Sequence, residues 1–311
     1  MSFLFHIFAN VMKRLIIIIL ICTLAPAPGW SQRRHALLVG ISDYPPESGW
    51  SKLHAYNDLE IFRATLLTMD ESFQVTELRD ASATHDGIVR ALLSIASRVK
   101  YGDQCIILFS CHGQQLTDID QDELMGDNPD CYDEAIIPYD AMIAYDWHHS
   151  GYKGENHLCD DEINGLLYNI KKAIGPMGQL IVLFDACHSG DMSRVAIEAE
   201  DKEDDVRRGT ADAFRIPGRK KNRAREYWPS DWVGISACNK DYNNYEVNIE
   251  GRWYGRLSYS FCKVFRRGMT PLMLKKTLED YYRVLPTGAN RPMQVLDMDC
   301  PADLEQIELL K

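Results

Sequence analysis

The chain has 311 residues, of which 46% are hydrophobic, and its formal net charge is −11 at pH 7. An acidic chain of this kind argues against nucleic acid as a partner and favours basic substrates. The nine cysteines have neither the spacing of a zinc site nor that of a small disulfide framework. We therefore expect most of them to be reduced residues of the core.

Residues 1–31 have the layout of a secretory signal peptide. A basic pair, Lys13 and Arg14, precedes an apolar run that is too short to span a membrane, and small turn-forming residues follow it. We predict that the signal starts at Met12 and is removed, with an uncleaved anchor as the alternative. Residues 32–311 would then be an exported protein, periplasmic or extracellular, with no membrane attachment.

From His35 onward, apolar strands alternate with amphipathic helices. The pattern predicts strands at 35–42, 73–78 and 104–110, a helix that Asn57 and Asp58 cap, and a helix over 84–99 with Thr84 as its N-cap. This β-α-β-α-β order is typical of a parallel, doubly wound sheet with right-handed crossovers.

The second half of the chain continues the alternation. It predicts a helix from Asp160 to about Ile174, strands at 180–184 and 232–238, helices over 255–267 and from Pro271, and an edge strand at 292–298. We therefore predict one α/β domain with a mostly parallel central sheet of about six strands, flanked by helices.

Two stretches interrupt this pattern. Residues 114–159 are polar and turn-rich, with an apolar island at 135–139. Residues 194–228 contain an acidic run followed by a basic run and few apolar side chains. The composition of the second stretch predicts a solvated, mobile loop that is not part of the core.

Two of the predicted strands end in residues that could carry chemistry. Cys187 follows the strand at 180–184, and His112 follows the strand at 104–110. Ligands bind beyond the carboxyl ends of parallel strands, and a nucleophilic cysteine needs a base from elsewhere in the fold. His188 is a poor base, because neighbours on an extended chain point to opposite sides. We therefore predict a Cys187–His112 pair, with a structural cysteine and a structural histidine as the alternatives.

The two strand ends together resemble a known family. The sequences SCHG at 110–113 and DACHSG at 185–190 resemble the paired motifs of metacaspases, within the caspase family of cysteine peptidases. The resemblance runs from about His35 to about Met298 and implies the caspase-like (caspase-hemoglobinase) fold. It also implies an endopeptidase that forms an acyl-enzyme, with an oxyanion hole made by the backbone N–H groups of Gly113 and Cys187.

The resemblance further implies a substrate pocket. Asp58 and Ser110 match an acidic and a polar pocket residue of metacaspases, and Ser236 matches a strand that lines their cleft. Asp185 has the same side-chain parity as Cys187. Two carboxylates in one pocket repel each other unless a cation lies between them, so we predict polypeptide substrates that are cut after Arg or Lys. The alternative is that Asp58 caps a helix and Asp185 only fixes its turn.

Metacaspases bind an activating calcium ion, and Asp133, Asp160 and Asp161 match that stretch of the family. Arg194 stands where the family has a fourth aspartate, which argues against a tight site. The alternative for Asp160 and Asp161 is that they stabilise a helix start. No organic cofactor is predicted. Four further residues lack any usual zinc spacing and are predicted to lie at the surface: His148, His149, His157 and Cys159.

Caspase relatives are often cut in a linker between a larger and a smaller subunit, which corresponds to residues 194–228. Arg207, Arg208, Lys220 and Lys221 are the exposed candidates for such a cut. Two rival functions stay open from the sequence. One is a catalytically silent caspase-like module that binds or scaffolds, and the other is a peptidase of the same fold with Asp or Asn preference, or a transpeptidase.

Overall fold

The computed structural model describes residues 32–117, 132–145, 151–187, 206–210, 212–216, 230–239, 243–286 and 294–311. Residues Arg33–Lys311 form one compact unit. Within the described part of the chain, no helix is long and apolar enough to cross a membrane. Several predictions lie outside the described residues: the signal peptide, His148, His149, His188, Arg194, Lys220 and Lys221.

The described strands and helices alternate as the apolar pattern predicts. The strands are β1 (Arg34–Gly40), β2 (Gln74–Arg79), β3 (Gln104–Ser110), β4 (Gly113–Thr117), β5 (Tyr132–Ile136), β6 (Leu158–Cys159), β7 (Gln179–Asp185), β8 (Val233–Ser236), β9 (Glu246–Ile249), β10 (Arg252–Gly255) and β11 (Asp297–Asp299). The helices are α1 (Ala55–Met69), α2 (His85–Arg98), α3 (Asp160–Ile174), α4 (Arg256–Val264) and α5 (Pro271–Val284).

A six-stranded sheet in the order β11-β8-β7-β3-β1-β2 forms the centre of the fold. Its pairs are parallel except for the edge strand β11, which runs antiparallel to β8. Every residue of β3 is buried, as expected for a central parallel strand with both faces covered. The predicted α/β class and the mostly parallel sheet of about six strands are confirmed.

Apolar side chains from successive positions of the strands supply two cores, one on each face of the sheet. Leu37, Val39 and Ile107 belong to the core that α2 and α3 cover, whereas Leu38 and Ile106 belong to the core that α1, α4 and α5 cover. This alternation follows from the period of two along a strand. The helices therefore flank the sheet on both sides.

Threonine side chains cap two helices, at Thr84 as predicted and also at Thr270, and a third helix start departs from the prediction. The side chains of Thr84 and Thr270 accept hydrogen bonds from Gly87 N and Met273 N at the starts of α2 and α5. The prediction that Asp58 caps its helix is wrong, because α1 begins at Ala55. Asp58 lies in the first turn with its side chain fully buried, so its carboxylate interacts with groups in the interior and not with the helix end.

The stretch predicted to be polar and turn-rich contains a second, three-stranded sheet in the order β4-β5-β6. His157, predicted to lie at the surface, is buried beside this sheet and bonds to Tyr152 Oη at 2.8 Å. Cys159 is half-buried. These residues fill the interior under the sheet, which the local composition does not indicate. Another small sheet, the hairpin of β9 and β10, was also not predicted.

Candidate active site

The carboxyl ends of β3 and β7 bring the two predicted catalytic residues to one edge of the sheet. These strands are parallel neighbours in which Ser110 lies opposite Asp185. His112 and Cys187 each follow two positions later, and both are buried. A Cβ on Gly113 would overlap the backbone of Cys187. Only glycine therefore fits where the two chain segments approach each other most closely.

His112 is held in one orientation by its surroundings. Its ring stacks on Trp50 with centroids 4.8 Å apart, and its Nε2 lies 2.9 Å from the carbonyl oxygen of Ser51. A carbonyl only accepts hydrogen bonds, so Nε2 carries the proton and Nδ1 offers a lone pair. Nδ1 is buried and has no hydrogen-bond partner among the described residues. Burial lowers the pKa of His112 to about 4, which keeps the ring neutral near pH 7.

The backbone N–H groups of Gly113 and Cys187 point at the same atom. Both donate to the carbonyl oxygen of Arg208, with N···O distances of 3.2 Å and 2.9 Å. These are the two groups that the sequence resemblance implies for an oxyanion hole. A Cβ on Gly209 would lie 2.8 Å from Cys187 Cβ. The Arg208–Gly209 peptide bond therefore lies next to Cys187.

The Arg208 side chain fills a closed, acidic pocket and has no exposed surface. Its Nη1 donates to Ser110 Oγ at 2.8 Å and to the carbonyl oxygen of Asp185 at 3.0 Å. Its Nη2 donates to Asp58 Oδ2 at 2.5 Å and to Glu246 Oε1 at 2.9 Å. The Asp185 carboxylate lies 3.8 Å from Nη1. The structure thus brings Asp58, Ser110 and Asp185 together around a guanidinium group.

Three carboxylates and one cation share this interior. Burial raises the pKa of Asp58 to about 7, because Arg208 only partly offsets the lost solvation and the two other carboxylates repel its charge. Burial acts in the same direction on Glu246, but Arg208 and the hydrogen bonds from His54 outweigh it and leave its pKa below the usual value. For Arg208, the carboxylates outweigh burial and raise the pKa. The pocket therefore requires a cation.

Hydrogen bonds from neighbouring elements hold two of the carboxylates in place. Gly255 N donates to Asp58 Oδ1, and Ser258 N, in the first turn of α4, donates to Asp185 Oδ2 at 2.7 Å. Asn244 Nδ2 donates to the other oxygen of Asp185 at 2.8 Å. A Cβ on Gly255 would overlap Asp185 Oδ2, so the pocket also depends on a missing side chain.

The backbone around Arg208 pairs with the protein as an extended peptide. Arg208 N donates to Asn244 O, and Glu246 N donates to Val206 O, each at 2.9 Å. The prediction that Arg207 and Arg208 are exposed is wrong, because Arg208 is fully buried and Arg207 is half-buried. The prediction of a solvated loop is likewise wrong for this part of 194–228. The residues that bind the Arg208 side chain lie far from it in sequence, so the composition of the loop does not indicate that this side chain is buried.

Glu246 and Asn244 are pocket residues that the sequence analysis missed. Asn244 precedes the hairpin of β9 and β10, and Glu246 is its first residue. The turn of this hairpin, at Glu250 and Gly251, has positive φ angles of 54° and 86°. An acidic or amide side chain in such a stretch carries no periodic signal. The hairpin itself does have a signal in the sequence, because a turn residue followed by Gly between apolar residues favours a two-residue connection.

The remaining predicted site residues lie apart from Arg208. Ser236 ends β8 and, with Phe184 and Cys238, lines a cavity of about 500 Å³. None of the described contacts joins Ser236 to Arg208. Asp133 lies on β5. Asp160 and Asp161 begin α3, as predicted.

The predicted calcium ligands do not form a site by themselves. Among the residues that the structure describes, no three His, Cys, Asp or Glu side chains are grouped so that they could hold a metal ion. The position of Arg194 lies outside them. Calcium binding at Asp133, Asp160 and Asp161 therefore stays a prediction.

A mostly parallel α/β sheet with a cysteine and a histidine just beyond two adjacent strand ends characterises this domain. The sequence model of the caspase domain, peptidase family C14, matches residues 33–295. The chain therefore belongs to the caspase domain family, as the metacaspase resemblance predicts.

Curated relatives agree with this assignment. Metacaspase-1 of Meyerozyma guilliermondii is 25% identical over 75% of this chain and 62% of its own length. Metacaspase-1A of Neurospora crassa is 30% identical over 52% of this chain and 33% of its own length. Metacaspase-1 of Scheffersomyces stipitis is 24% identical, and the chain covers 48% of it. The chain thus spans only part of these relatives.

The structural comparison supports the fold alone. The crystal structure of protein GSU0716 from Geobacter sulfurreducens superposes with a TM-score of 0.58 at 20% sequence identity. The match covers 89% of this chain and 99% of that chain. The caspase-like arrangement of sheet and helices is therefore shared by a protein of low sequence identity.

Proposed function

We propose that this protein is a cysteine endopeptidase that hydrolyses peptide bonds after a basic residue, and that its own Arg208–Gly209 bond is a substrate. The observation that carries the proposal is the placement of Arg208. Its side chain lies among three carboxylates, and its carbonyl oxygen accepts hydrogen bonds from Gly113 N and Cys187 N. A peptide bound for cleavage needs both features at once.

In the proposed reaction, Cys187 Sγ attacks the carbonyl carbon of Arg208 and His112 Nδ1 accepts the thiol proton. The N–H groups of Gly113 and Cys187 stabilise the negative charge on the oxygen, and each such donor contributes a factor of about 10²–10³ in rate. His112 passes the proton to the nitrogen of Gly209, the C–N bond breaks, and Arg208 stays on Cys187 as a thioester. Water, with His112 as base, then hydrolyses the thioester.

The pocket favours arginine over lysine in this proposal. The two terminal nitrogens of Arg208 bind different groups: Nη1 binds Ser110 and Nη2 binds both Asp58 and Glu246. A planar guanidinium spans both sets, whereas the single nitrogen of a lysine cannot reach both in the same way. We therefore expect cleavage after Arg to exceed cleavage after Lys, and no cleavage after Asp.

Two measurements test the proposal together. Purified wild-type protein should be cut between Arg208 and Gly209, as mass spectrometry of the fragments would reveal, and Cys187→Ala protein should stay whole. The cut protein should hydrolyse fluorogenic peptides with Arg before the scissile bond and ignore matched Asp peptides. Cleavage by the Cys187→Ala variant, or a preference for Asp, would contradict the proposal. A folded wild-type protein with no cleavage of either kind would favour a silent binding module.

A further inference from the structure

Beyond the scissile bond, the chain enters a second pocket that the proposed reaction does not need. Phe214 is six residues after Arg208 and is 1% exposed. Its ring packs on His157 with centroids 4.6 Å apart, and it meets Tyr152 edge-on at 5.6 Å and 83°. Tyr145 contacts it from another side at 6.2 Å. A charged linker therefore places one aromatic ring in an aromatic cage.

Backbone hydrogen bonds fix the segment on either side of this ring. Phe214 N donates to Gln115 O at 2.7 Å, and Thr117 N donates to Phe214 O at 3.0 Å. Ile216 N donates to Thr117 Oγ1 at 3.0 Å. Phe214 thus adds to the edge of β4 as a short parallel strand would. The pairing leaves the neighbouring Arg215 exposed.

One side chain links the cage to the peptide that it holds. Gln114 Nε2 donates to Asp212 O at 2.8 Å, and Gln114 Oε1 lies 3.0 Å from His157 Nε2. The other ring nitrogen of His157 lies 2.8 Å from Tyr152 Oη. The cage wall is therefore preorganised by hydrogen bonds between its own members, which lowers the cost of ordering a bound segment.

Gly154 provides room for the ring. A Cβ on Gly154 would lie 3.0 Å from Phe214 Cε1, and its φ angle is +89°. The position thus suits glycine for both its backbone and its missing side chain.

We propose that this pocket is a subsite on the leaving-group side of the scissile bond, and that it anchors Phe214 both before and after cleavage. The new amino terminus at Gly209 then stays beside Cys187, while residues 206–208 leave. The assignment of Arg208–Gly209 as the bond that is cut rests on the proposed function, whereas the anchoring of Phe214 does not. A longer substrate has to displace residues 212–216 from β4, and an aromatic residue at its sixth position after the cut would take the place of Phe214.

The separation of the two ends follows from charge. Hydrolysis creates a carboxylate at the backbone of Arg208, on the same residue whose side chain lies among Asp58, Asp185 and Glu246. Like charges repel each other in a low-dielectric interior. The other new end is an ammonium group on Gly209, and the contacts of Phe214 are apolar and backbone contacts that the cut does not change. Cleavage therefore weakens the binding of residues 206–208 and leaves the binding of Phe214 unchanged.

Hydrogen exchange on full-length Cys187→Ala protein tests the anchor without any peptidase activity. We expect slow exchange at the amides of Thr117, Phe214 and Ile216. Phe214→Ala should speed exchange there by roughly 10-fold to 100-fold, as the loss of a buried aromatic side chain predicts. Arg215→Ala, a change at the exposed neighbour, is the matched control and should change nothing. Phe214→Leu should give an intermediate rate if Phe214→Ala does not fold.

A peptide experiment tests the pocket itself. The synthetic peptide with the sequence of residues 209–216 should bind the Cys187→Ala, Phe214→Ala double variant when its concentration is on the order of millimolar, which matches the effective concentration of the tethered segment. The same peptide with alanine for Phe214 should bind roughly 10-fold to 100-fold more weakly. Equal binding of the two peptides, or unchanged exchange in Phe214→Ala, would overturn the proposal. In self-cut wild type, protection at Phe214 should persist, and its loss on cleavage would contradict anchoring of the new terminus. Failure of self-cleavage would count against the proposed function alone.

Discussion

The two ends of the bound linker segment are held by opposite kinds of physical chemistry. Arg208 is surrounded by three carboxylates and a serine hydroxyl, whereas Phe214 lies among Tyr145, Tyr152 and His157. A charged pocket depends on sign and hydrogen-bond geometry, and an aromatic cage depends on shape and area. The first selects one residue type sharply, and the second sets how long the segment stays.

Removal of the arginine side chain should have the largest effect on this comparison. Arg208→Ala leaves Asp58, Asp185 and Glu246 without their cation, so the scissile bond loses its placement. We expect the rate of cutting at this bond to fall by roughly 10³-fold, which corresponds to the loss of one partner of a buried charge cluster. Quantitative mass spectrometry of the fragments over time measures the rate.

Arg207→Ala is the control for that experiment, since Arg207 is half-buried and its Nη2 donates to Asn243 Oδ1. Its effect should be much smaller. Similar losses for the two variants would indicate that the pocket recognises the pair of arginines and not Arg208 alone.

A change in one carboxylate should have the next largest effect. Glu246→Gln keeps the size of the side chain and one acceptor but removes a charge that Arg208 and His54 both contact. We expect KM for Arg peptides to rise by roughly 10-fold to 100-fold, because a charge-assisted hydrogen bond is replaced by a neutral one.

The exposed pair of Arg252 and Glu60 provides the matched control. Glu60→Gln also removes one charge that contacts an arginine, but it does so at the surface, where ion pairs contribute little. KM should not change in this variant. An unchanged KM in Glu246→Gln as well would remove Glu246 from the substrate pocket.

Arg208→Lys should have a milder effect than Arg208→Ala. The ammonium group keeps the charge but loses the planar fork that reaches Ser110 and Asp58 from different nitrogens. We expect self-cleavage to slow by roughly 10-fold. A lysine variant that is cut as fast as wild type would show that the pocket responds to charge and not to geometry.

The last prediction changes no residue at all. Burial lowers the pKa of His112 to about 4 from a usual value near 6.5. As the pH falls from 6.5 to 4, His112 binds a proton in the unfolded chain but stays neutral in the folded protein, so folding stability decreases across this window. Nuclear magnetic resonance titration of the ring in uncut Cys187→Ala protein measures the pKa directly, and a value near 6.5 would contradict the buried, neutral base.

The sequence predicted the sheet and the edge where the site lies, because those depend on local apolar runs. The strand at 104–110 and the helix from Asp160 to Ile174 match the structure, and each has a clear period and boundary. Residues whose role depends on distant partners were harder to predict. Arg208 lies in a charged run that is typical of a solvated loop, and only its contacts with Asp58 and Glu246, from two other elements, explain its burial.

Other residues of the site divide in the same way. Gly113 and Cys187 could be predicted because they belong to a short motif after each strand. Phe214 could not, because one aromatic residue in a polar stretch has no period, and its cage comes from the region of Tyr145 to His157 that also looked like a loop. Ser236 was predicted from its match to one strand, and its side chain lies beside a different cavity.

The covalent connection between Arg208 and the rest of the chain has a kinetic consequence. A segment tethered next to its own binding pocket has an effective concentration on the order of millimolar. A free peptide at micromolar concentration has little chance against such a competitor, even if both bind with equal intrinsic affinity. In the proposed self-cleavage, each molecule therefore changes once and irreversibly. Before the cut its own segment excludes free peptides from the pocket, and after the cut free peptides can bind there.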